Sequence, residues 1–169
     1  ALARARGTTV FITLLAAYQT LLHRITGSDD VVVGTSIAAR TRVEFEHLPG
    51  VFMNTLALRT RFDGAPDFTR VLERVKAIAH DAWQHQELPF EALVTALHPV
   101  RDPGRTRLFH VFFDSDIITL EGLALRGLQT ERLDVDPGVA KFDFAWSVGD
   151  SGARLRIEVD YNTDLFDEA

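Results

Sequence analysis

The residues best able to do acid–base, nucleophilic or metal chemistry are scattered along this sequence. Its six histidines form no HExxH motif or other close pair of metal ligands. The lack of cysteine excludes a thiolate nucleophile, a disulfide framework and a cysteine-based zinc site. Neither a Gly-x-Ser-x-Gly nucleophile elbow nor a glycine-rich phosphate loop occurs. By its chemistry alone, the sequence predicts an α/β lobe with no self-contained active site, no catalytic residue and no metal ligand.

Composition narrows the class of partner. The chain has 169 residues, of which 46% are hydrophobic and 25% charged, as in an ordinary globular domain. A net charge of -6 argues against binding to nucleic acid or to an anionic membrane, since both are bound by clustered Lys and Arg. No stretch approaches the roughly 20 apolar residues that span a bilayer. The lack of cysteine does not fix the compartment, and a reducing cytoplasm is the expected default.

In the first half of the chain, the spacing of apolar residues changes from helical to a continuous run and then to alternation. Apolar residues at helical spacing run from Val10 to Ile25, and Gly27 is a good C-terminal stop. The run Val31–Val33 predicts a buried strand. From Val51 to Phe62 the period is two, which predicts a strand with Asn54 on its apolar face.

The second half contains two helical patterns and then several strands. An apolar stripe from Phe68 to Trp83 predicts a long helix, and a short one opens at Pro89. Strand patterns follow at residues 108–113, 142–148 and 155–161, the last two joined by a hairpin signal. Residues 116–136 are a wandering strand or a crossover arm. The predicted fold is an α/β two-layer sandwich, a mixed sheet with helices on one face.

Three segments resemble motifs of nonribosomal peptide synthetase condensation domains. They are LPGVFMNTLALR at residues 48–59, HQELPFEALV at residues 85–94, and Arg101-Asp102 followed by Leu108-Phe109. GSDDVVVGTSIAAR at residues 27–40 and YNTDLFD at residues 161–167 also match. Ser36 replaces a frequent Pro, and Thr106, Arg107 and His110 depart from the last motif.

The resemblance implies one lobe of a chloramphenicol acetyltransferase-like pair, with a substrate tunnel between the lobes. The family's His-His-x-x-x-Asp-Gly motif, which positions the attacking amine, belongs to the N-terminal lobe and is absent here. Residues 1–169 would then be the C-terminal lobe of a domain that joins carrier-tethered aminoacyl or peptidyl thioesters by amide-bond formation. Alone, this lobe should be inert.

The same resemblance implies partners and cofactors. The partners would be the N-terminal lobe, peptidyl carrier proteins and an adenylation domain. No cofactor would be bound directly, but the phosphopantetheine arms of the carrier proteins would enter the tunnel. The lobe would supply one tunnel wall and docking surface, without the general base.

Two residues are candidates for the tunnel. Asn54 would face it and hydrogen-bond a pantetheine arm or an acyl carbonyl; alternatively, its amide satisfies the backbone of a neighbouring loop. An unpaired amide on this apolar face would cost about 1–3 kcal/mol. Ser36, near the end of the buried strand, is the second candidate.

The other motif positions carry structural predictions. His85 is expected to be a hydrogen-bonded structural histidine, Phe90 a core residue, and Glu91 a first-turn residue that favours the helix dipole. Arg59 is expected to form an ion pair, and Arg101 with Asp102 to fix a loop. The full structural set is Gly50, Phe52, Thr55, Arg59, His85, Gln86, Pro89, Phe90, Glu91, Arg101 and Asp102.

Two further functions stay open. The lobe could be a non-catalytic docking platform for carrier or adenylation domains. It could also belong to a related oligomeric acyltransferase, as a subunit that completes its active site across an interface.

Overall fold

The computed structural model describes residues 2–99, 108–116, 127–129, 133, 135, 138–150 and 154–167. Within these residues, four α-helices and five strands follow one another along the chain, with a short 3-10 helix at Val43–Phe45 between the first two strands. They are α1 (Leu2–Ala5), α2 (Val10–Thr26), β1 (Asp30–Ile37), β2 (Asn54–Arg61), α3 (Phe68–Gln84), α4 (Phe90–Leu97), β3 (Val111–Asp116), β4 (Phe144–Asp150) and β5 (Leu155–Tyr161).

The strands form one mixed sheet in the order β2-β1-β3-β4-β5. β1 pairs antiparallel with β2 and parallel with β3. β4 is parallel to β3 and antiparallel to β5, which confirms the predicted hairpin between them. The predicted α/β class and mixed sheet are confirmed.

The two long helices begin and end where their side chains favour it. The Thr9 hydroxyl accepts a hydrogen bond from the Ile12 amide at the start of α2, and Asp67 accepts one from the Arg70 amide at the start of α3. α2 ends at Gly27, which has a φ of 70°, as the sequence predicts. Both helices lie on the same side of the sheet.

We call this side the helical face. The odd-numbered β1 side chains Val31 and Val33 lie on it, with the even-numbered β2 side chains Leu56 and Leu58, as the period of two requires. α2 and α3 bury these residues under a single core. The helical members of that core are Ile12, Leu15, Ala16, Tyr18, Leu22, Val71, Leu72, Val75 and Ala79.

Three polar side chains in the helical face, Tyr18, Gln19 and Thr60, are fully buried and make hydrogen bonds. The Gln19 amide donates to the Leu58 carbonyl over 3.1 Å and accepts from the Thr60 hydroxyl over 2.8 Å. The Tyr18 hydroxyl donates to the Phe144 carbonyl over 3.4 Å, and burial raises the pKa of this phenol. These bonds join α2 to both halves of the sheet.

The opposite side, the second face, carries Gly34, Ser36, Phe112 and Asp114. A Cβ on Gly34 would lie 2.2 Å from the Phe109 ring, so Phe109 packs directly on the β1 backbone. The α4 side chain Phe90 contacts Phe109, with ring centroids 5.5 Å apart. The prediction of helices on one face therefore describes α2 and α3, whereas α4 contributes to the second face.

Two strand boundaries differ from the sequence prediction. β2 begins at Asn54 rather than Val51, and β3 begins at Val111 rather than Leu108. Preceding β2, Gly50 has a φ of 152°, a backbone conformation that favours glycine. Preceding β3, the Phe109 ring turns to the second face, although residue parity would send it to the helical face. Of the predicted segment 116–136, most residues lie outside the described part of the chain.

Candidate functional site

Asn54, at the start of β2, joins two of the sequence motifs. Its Nδ2 donates to the Gln86 carbonyl over 2.9 Å and to the Leu88 carbonyl over 2.7 Å. Its Oδ1 accepts from the Thr55 amide over 2.9 Å and from the Phe90 amide over 3.1 Å. One carboxamide thus fastens the loop between α3 and α4 to the start of β2. We call this set of four bonds the Asn54 clamp.

The clamp bears on the two interpretations of Asn54. An amide has two N–H donors and one carbonyl oxygen with two lone pairs, and all four are used. The reverse placement of nitrogen and oxygen would set N–H groups against N–H groups, so only one orientation satisfies the site. The geometry supports the loop-satisfying role and leaves Asn54 no free donor for a pantetheine arm or an acyl carbonyl.

The loop that precedes Asn54 is organised by Arg40. Its guanidinium donates to the carbonyls of Phe45 and Gly50 and lies 4.2 Å from the centre of the Phe52 ring. The Phe52 ring also stacks on Phe45, with centroids 5.5 Å apart. Gly50 and Phe52 therefore have structural roles in this loop. The sequence pattern does not single out Arg40 for this role.

Ser36 lies near the end of β1 on the second face, directly across from Thr55 in β2. Its hydroxyl is 2.8 Å from both carboxylate oxygens of Asp114 in β3. Seventy-eight residues separate the two in sequence. Neither composition nor periodicity singles out Asp114, and only the parallel pairing of β1 and β3 brings the carboxylate to Ser36.

Asp114 lines an open cleft of about 990 Å³ on this side of the sheet. Ser36 is not among the described residues that line the cleft, and its hydroxyl contacts the cleft residue Asp114. The described walls mix aromatic, hydroxyl and carboxylate side chains, which suits a substrate with both apolar and polar parts. They include Phe112, Asp114, Phe142, Ser147 and Asp160.

Arg59 forms the ion pair that the sequence predicts. Its Nε lies 2.8 Å from one carboxylate oxygen of Asp30 and 3.1 Å from the other. This hydrogen bond and the charge of Arg59 hold the pKa of Asp30 below its usual value. Both side chains are exposed to solvent, so the pair positions two strand ends and contributes little to stability.

This ion pair gives a pH-dependent prediction. Because the folded-state pKa of Asp30 is lowered, its contribution to stability is present above the unfolded pKa and disappears as pH falls through the folded pKa. Arg59→Ala should raise the pKa of Asp30 toward its usual value in an NMR titration. Arg61→Ala should raise it less, since Arg61 acts only through its charge. An equal shift in both variants would contradict the pairing.

The residues between α3 and α4 lie around the clamp. His85 caps α3 through its backbone amide, and its side chain is exposed without the expected hydrogen bond among the described residues. Gln86 supplies a carbonyl to Asn54, and Pro89 is the N-cap of α4. Glu91 is in the first turn of α4, where a carboxylate favours the helix dipole.

Phe90 is half-buried and belongs to an aromatic group with Phe109, Phe112 and Phe142 rather than to the main core. Phe90 was expected in the core, and it lies instead in a second, smaller cluster of aromatic side chains. Arg101 and Asp102 lie outside the described residues.

Among the described residues, no three His, Asp or Glu side chains are grouped to hold a metal ion. Nor does any described helix have the length and hydropathy needed to cross a bilayer.

Comparison with known proteins gives consistent matches over the whole chain. The family model described as "Condensation domain" matches residues 1–169. A component of the linear gramicidin synthase of Brevibacillus parabrevis is 44% identical over 170 residues, covering 99% of this chain and 2% of that protein. Malpinin synthetase of Mortierella alpina is 40% identical over 166 residues, covering 98% of this chain and 2% of that protein. The chain thus spans a small fraction of these curated relatives.

Solved structures share the fold. The SgcC5 protein of Streptomyces globisporus has a TM-score of 0.72 and 26% identity, and the match covers 98% of this chain and 40% of that chain. The first condensation domain of the CDA synthetase has a TM-score of 0.71 and 21% identity, covering 98% of this chain and 36% of that chain. The four-domain nonribosomal peptide synthetase holo-AB3403 has a TM-score of 0.88 and 23% identity, covering 98% and 14%.

Proposed function

Because the chain belongs to the condensation domain family, we propose that it is the C-terminal lobe of such a domain. The whole domain would join aminoacyl or peptidyl groups tethered to carrier proteins by forming an amide bond in nonribosomal peptide synthesis. This chain would supply one wall of the substrate tunnel and part of the docking surface.

The observation that carries the proposal is the extent of the match. Nearly all of this chain corresponds to 36% of a solved condensation domain, a share that fits one lobe of a two-lobed domain. The motifs of residues 48–59 and 85–94 are also tied together by the Asn54 clamp, so they form one unit of the folded lobe. The sequence has no adjacent histidine pair, which favours the lobe that lacks the family's His-His motif.

The reaction explains what a lobe of this kind contributes. The acceptor amine attacks the donor thioester carbonyl, a C–N bond forms, the C–S bond breaks, and the amine proton leaves as the donor arm becomes a thiol. A base for this proton belongs to the absent lobe. The second-face cleft beside Asp114 is the proposed stretch of tunnel wall, and it would hold the reactants in place.

The proposed partners are inferred from the relatives of this chain, which are multi-domain synthetases. Carrier proteins with phosphopantetheine arms, an adenylation domain and the N-terminal lobe are the proposed partners. No residue here is proposed to bind a resident cofactor. The arms would pass along the second face, beyond Ser36 and Thr55, rather than hydrogen-bond to Asn54.

Reconstitution tests the proposal. The chain alone should form no dipeptide from two loaded carrier proteins, and activity should return when the preceding half of the parent domain is added in trans or fused. A matched control is the same half with its His-His-x-x-x-Asp-Gly motif altered, which should give no product. Product formed by the 169-residue chain alone would overturn the proposal, as would a complete domain that stays inactive.

A docking role has a separate observation in its favour. Large apolar side chains are exposed around the clamp: Val51 is 93% exposed, Met53 68% and Leu88 51%. Such a patch is typical of a protein–protein interface. NMR titration with a loaded carrier protein should shift resonances at these residues if the lobe is a platform. Binding without recovered catalysis in the reconstituted domain would favour this second function.

A further inference from the structure

A second cavity lies between the C-terminal half of α2 and the connection from β2 to α3. Its volume of about 540 Å³ is in the range of small-molecule sites, and it shares no lining residue with the second-face cleft. We call it the His23 notch, because the imidazole of His23 is among its walls. Four further residues of α2 line it at the spacing that puts side chains on one side of a helix: Ala17, Thr20, Leu21 and Arg24.

Two stacked rings form part of the notch. The imidazole of His23 lies on the Phe62 ring, with centroids 4.4 Å apart and planes within 2° of parallel. His23 Nδ1 is 2.8 Å from the Ser28 carbonyl, and since a carbonyl can only accept, this nitrogen carries a hydrogen and donates it. Phe62 is buried, whereas 28% of the His23 side chain is exposed, so the accessible part of the stack is the imidazole. This hydrogen bond and the stacking hold the imidazole in one orientation.

The opposite wall, the connection from β2 to α3, is held in a fixed shape. Gly64 and Ala65 have φ values of 77° and 47°, and this left-handed region is uncommon for alanine. The Arg74 guanidinium of α3 donates to the carbonyls of Arg61 and Asp63 over 2.5 and 3.3 Å. The wall is therefore formed before any ligand arrives, which lowers the entropy that binding would cost.

One cation and one anion line the notch separately. Arg24 makes no hydrogen bond or ion pair with another residue in the described part of the chain. Asp67 accepts a hydrogen bond from the Arg70 amide through Oδ1, which leaves Oδ2 for another donor. No ion pair joins Arg24 to Asp67 among the described residues, so both charges can contact a ligand.

We propose that the His23 notch binds a free aromatic α-amino acid. The ring of the ligand would extend the stack of Phe62 and His23, its carboxylate would pair with Arg24, and its ammonium would pair with Asp67. An aromatic α-amino acid carries an apolar ring and both charges in one small molecule, which matches the chemistry of the walls. The notch is separate from the second-face cleft, so this inference does not depend on the proposed condensation function.

NMR titration with three probes that share one ring tests the proposal. They are L-phenylalanine, 3-phenylpropanoate, which lacks the ammonium, and 2-phenylethylamine, which lacks the carboxylate. Amide resonances of Thr20, His23 and Ala65 should shift to saturation, and L-phenylalanine should bind about fivefold more tightly than either analogue, the effect of one solvent-exposed ion pair. Equal affinities for the three probes would overturn the proposal. So would shifts confined to Phe112 and Ser147 in the second-face cleft, or no saturable shift at all.

Three variants assign the two charges. Arg24→Gln should lower the affinity for L-phenylalanine to that for 2-phenylethylamine. Asp67→Asn, which keeps an N-cap for α3, should lower it to that for 3-phenylpropanoate. Arg4→Gln, at an exposed position in α1, is the matched control and should bind as the original chain does. Unchanged binding of L-phenylalanine in both Arg24→Gln and Asp67→Asn would overturn the proposal. Because these titrations need no catalysis, their result is independent of the reconstitution experiment.

Discussion

Replacing Asn54 with alanine is expected to lower the free energy of unfolding by about 2–4 kcal/mol. The substitution removes four hydrogen bonds and leaves the Gln86 carbonyl and the Phe90 amide, both partly shielded from water, without their partner. The Leu88 carbonyl is more exposed and can turn to water, which keeps the loss below the sum of four bonds. For a chain of this size, the melting temperature should fall by roughly 5–15 °C.

Two comparisons make this result specific to the clamp. Asn54→Asp keeps the acceptors for Thr55 and Phe90 but sets a carboxylate against two carbonyl oxygens. Compared with the unmodified chain, Asn54→Asp should lose more free energy of unfolding at neutral pH than at acidic pH. At acidic pH the carboxyl is protonated and can donate a hydrogen bond to one of the two carbonyls. Hydrogen exchange of the Phe90 amide should accelerate more in Asn54→Ala, which removes its acceptor, than in Asn54→Asp, which keeps it. An Asn54→Ala melting temperature within about 1 °C of the original would contradict the clamp.

Gly34→Ala is the second substitution with a large expected effect. The added Cβ would lie 2.2 to 2.7 Å from three atoms of the Phe109 ring, far inside van der Waals contact. Phe109 is 3% exposed and is enclosed by the rings of Phe90, Phe112 and Phe142, so it has little room to move. Overpacking of this kind costs about 1–3 kcal/mol. Thermal and denaturant unfolding would measure the loss.

A matched glycine separates overpacking from any general effect of the substitution. Gly149 in β4 would place its new Cβ 4.0 Å from the Arg156 Cβ, an ordinary contact. Gly149→Ala should therefore be neutral or slightly stabilising, since alanine reduces the entropy of the unfolded chain. In a Phe109→Leu background, Gly34→Ala should cost less than in the original chain, because the ring that it meets is gone. Equal costs in the two backgrounds would refute the contact.

The hydrogen bonds of Asn54 give the LPGVFMNTLALR and HQELPFEALV segments a structural role. Asn54, the residue that most resembled a substrate contact, uses its whole amide to hold a loop. The side chain of His85, the histidine nearest to it in the motifs, is exposed. Ser36 instead makes its hydrogen bonds to Asp114 at the margin of the second-face cleft. In a condensation lobe, the Asn54 clamp would hold the wall in shape while the cleft meets the substrate.

The sequence by itself determined the elements and the family. Helical spacing located α2, α3 and α4, and the period of two located β2, β4 and β5. This works because each element has one face toward the interior and one toward water, and that division appears as a periodic pattern in its own sequence. The Arg59 ion pair and the place of Glu91 in the first turn of α4 were also predicted correctly. Short motifs in a fixed order were enough to indicate the condensation family, which the comparisons confirmed.

Tertiary structure alone decided which polar groups meet. The choice between two roles for Asn54 depended on carbonyls 32 and 34 residues away, and the partner of Ser36 is 78 residues away. The side on which Phe109 packs likewise depends on the space above Gly34. A periodic pattern records only whether a side chain faces water or the interior. A hydrogen bond or a close contact also needs distance and direction, and these exist only once the strands and loops have packed together.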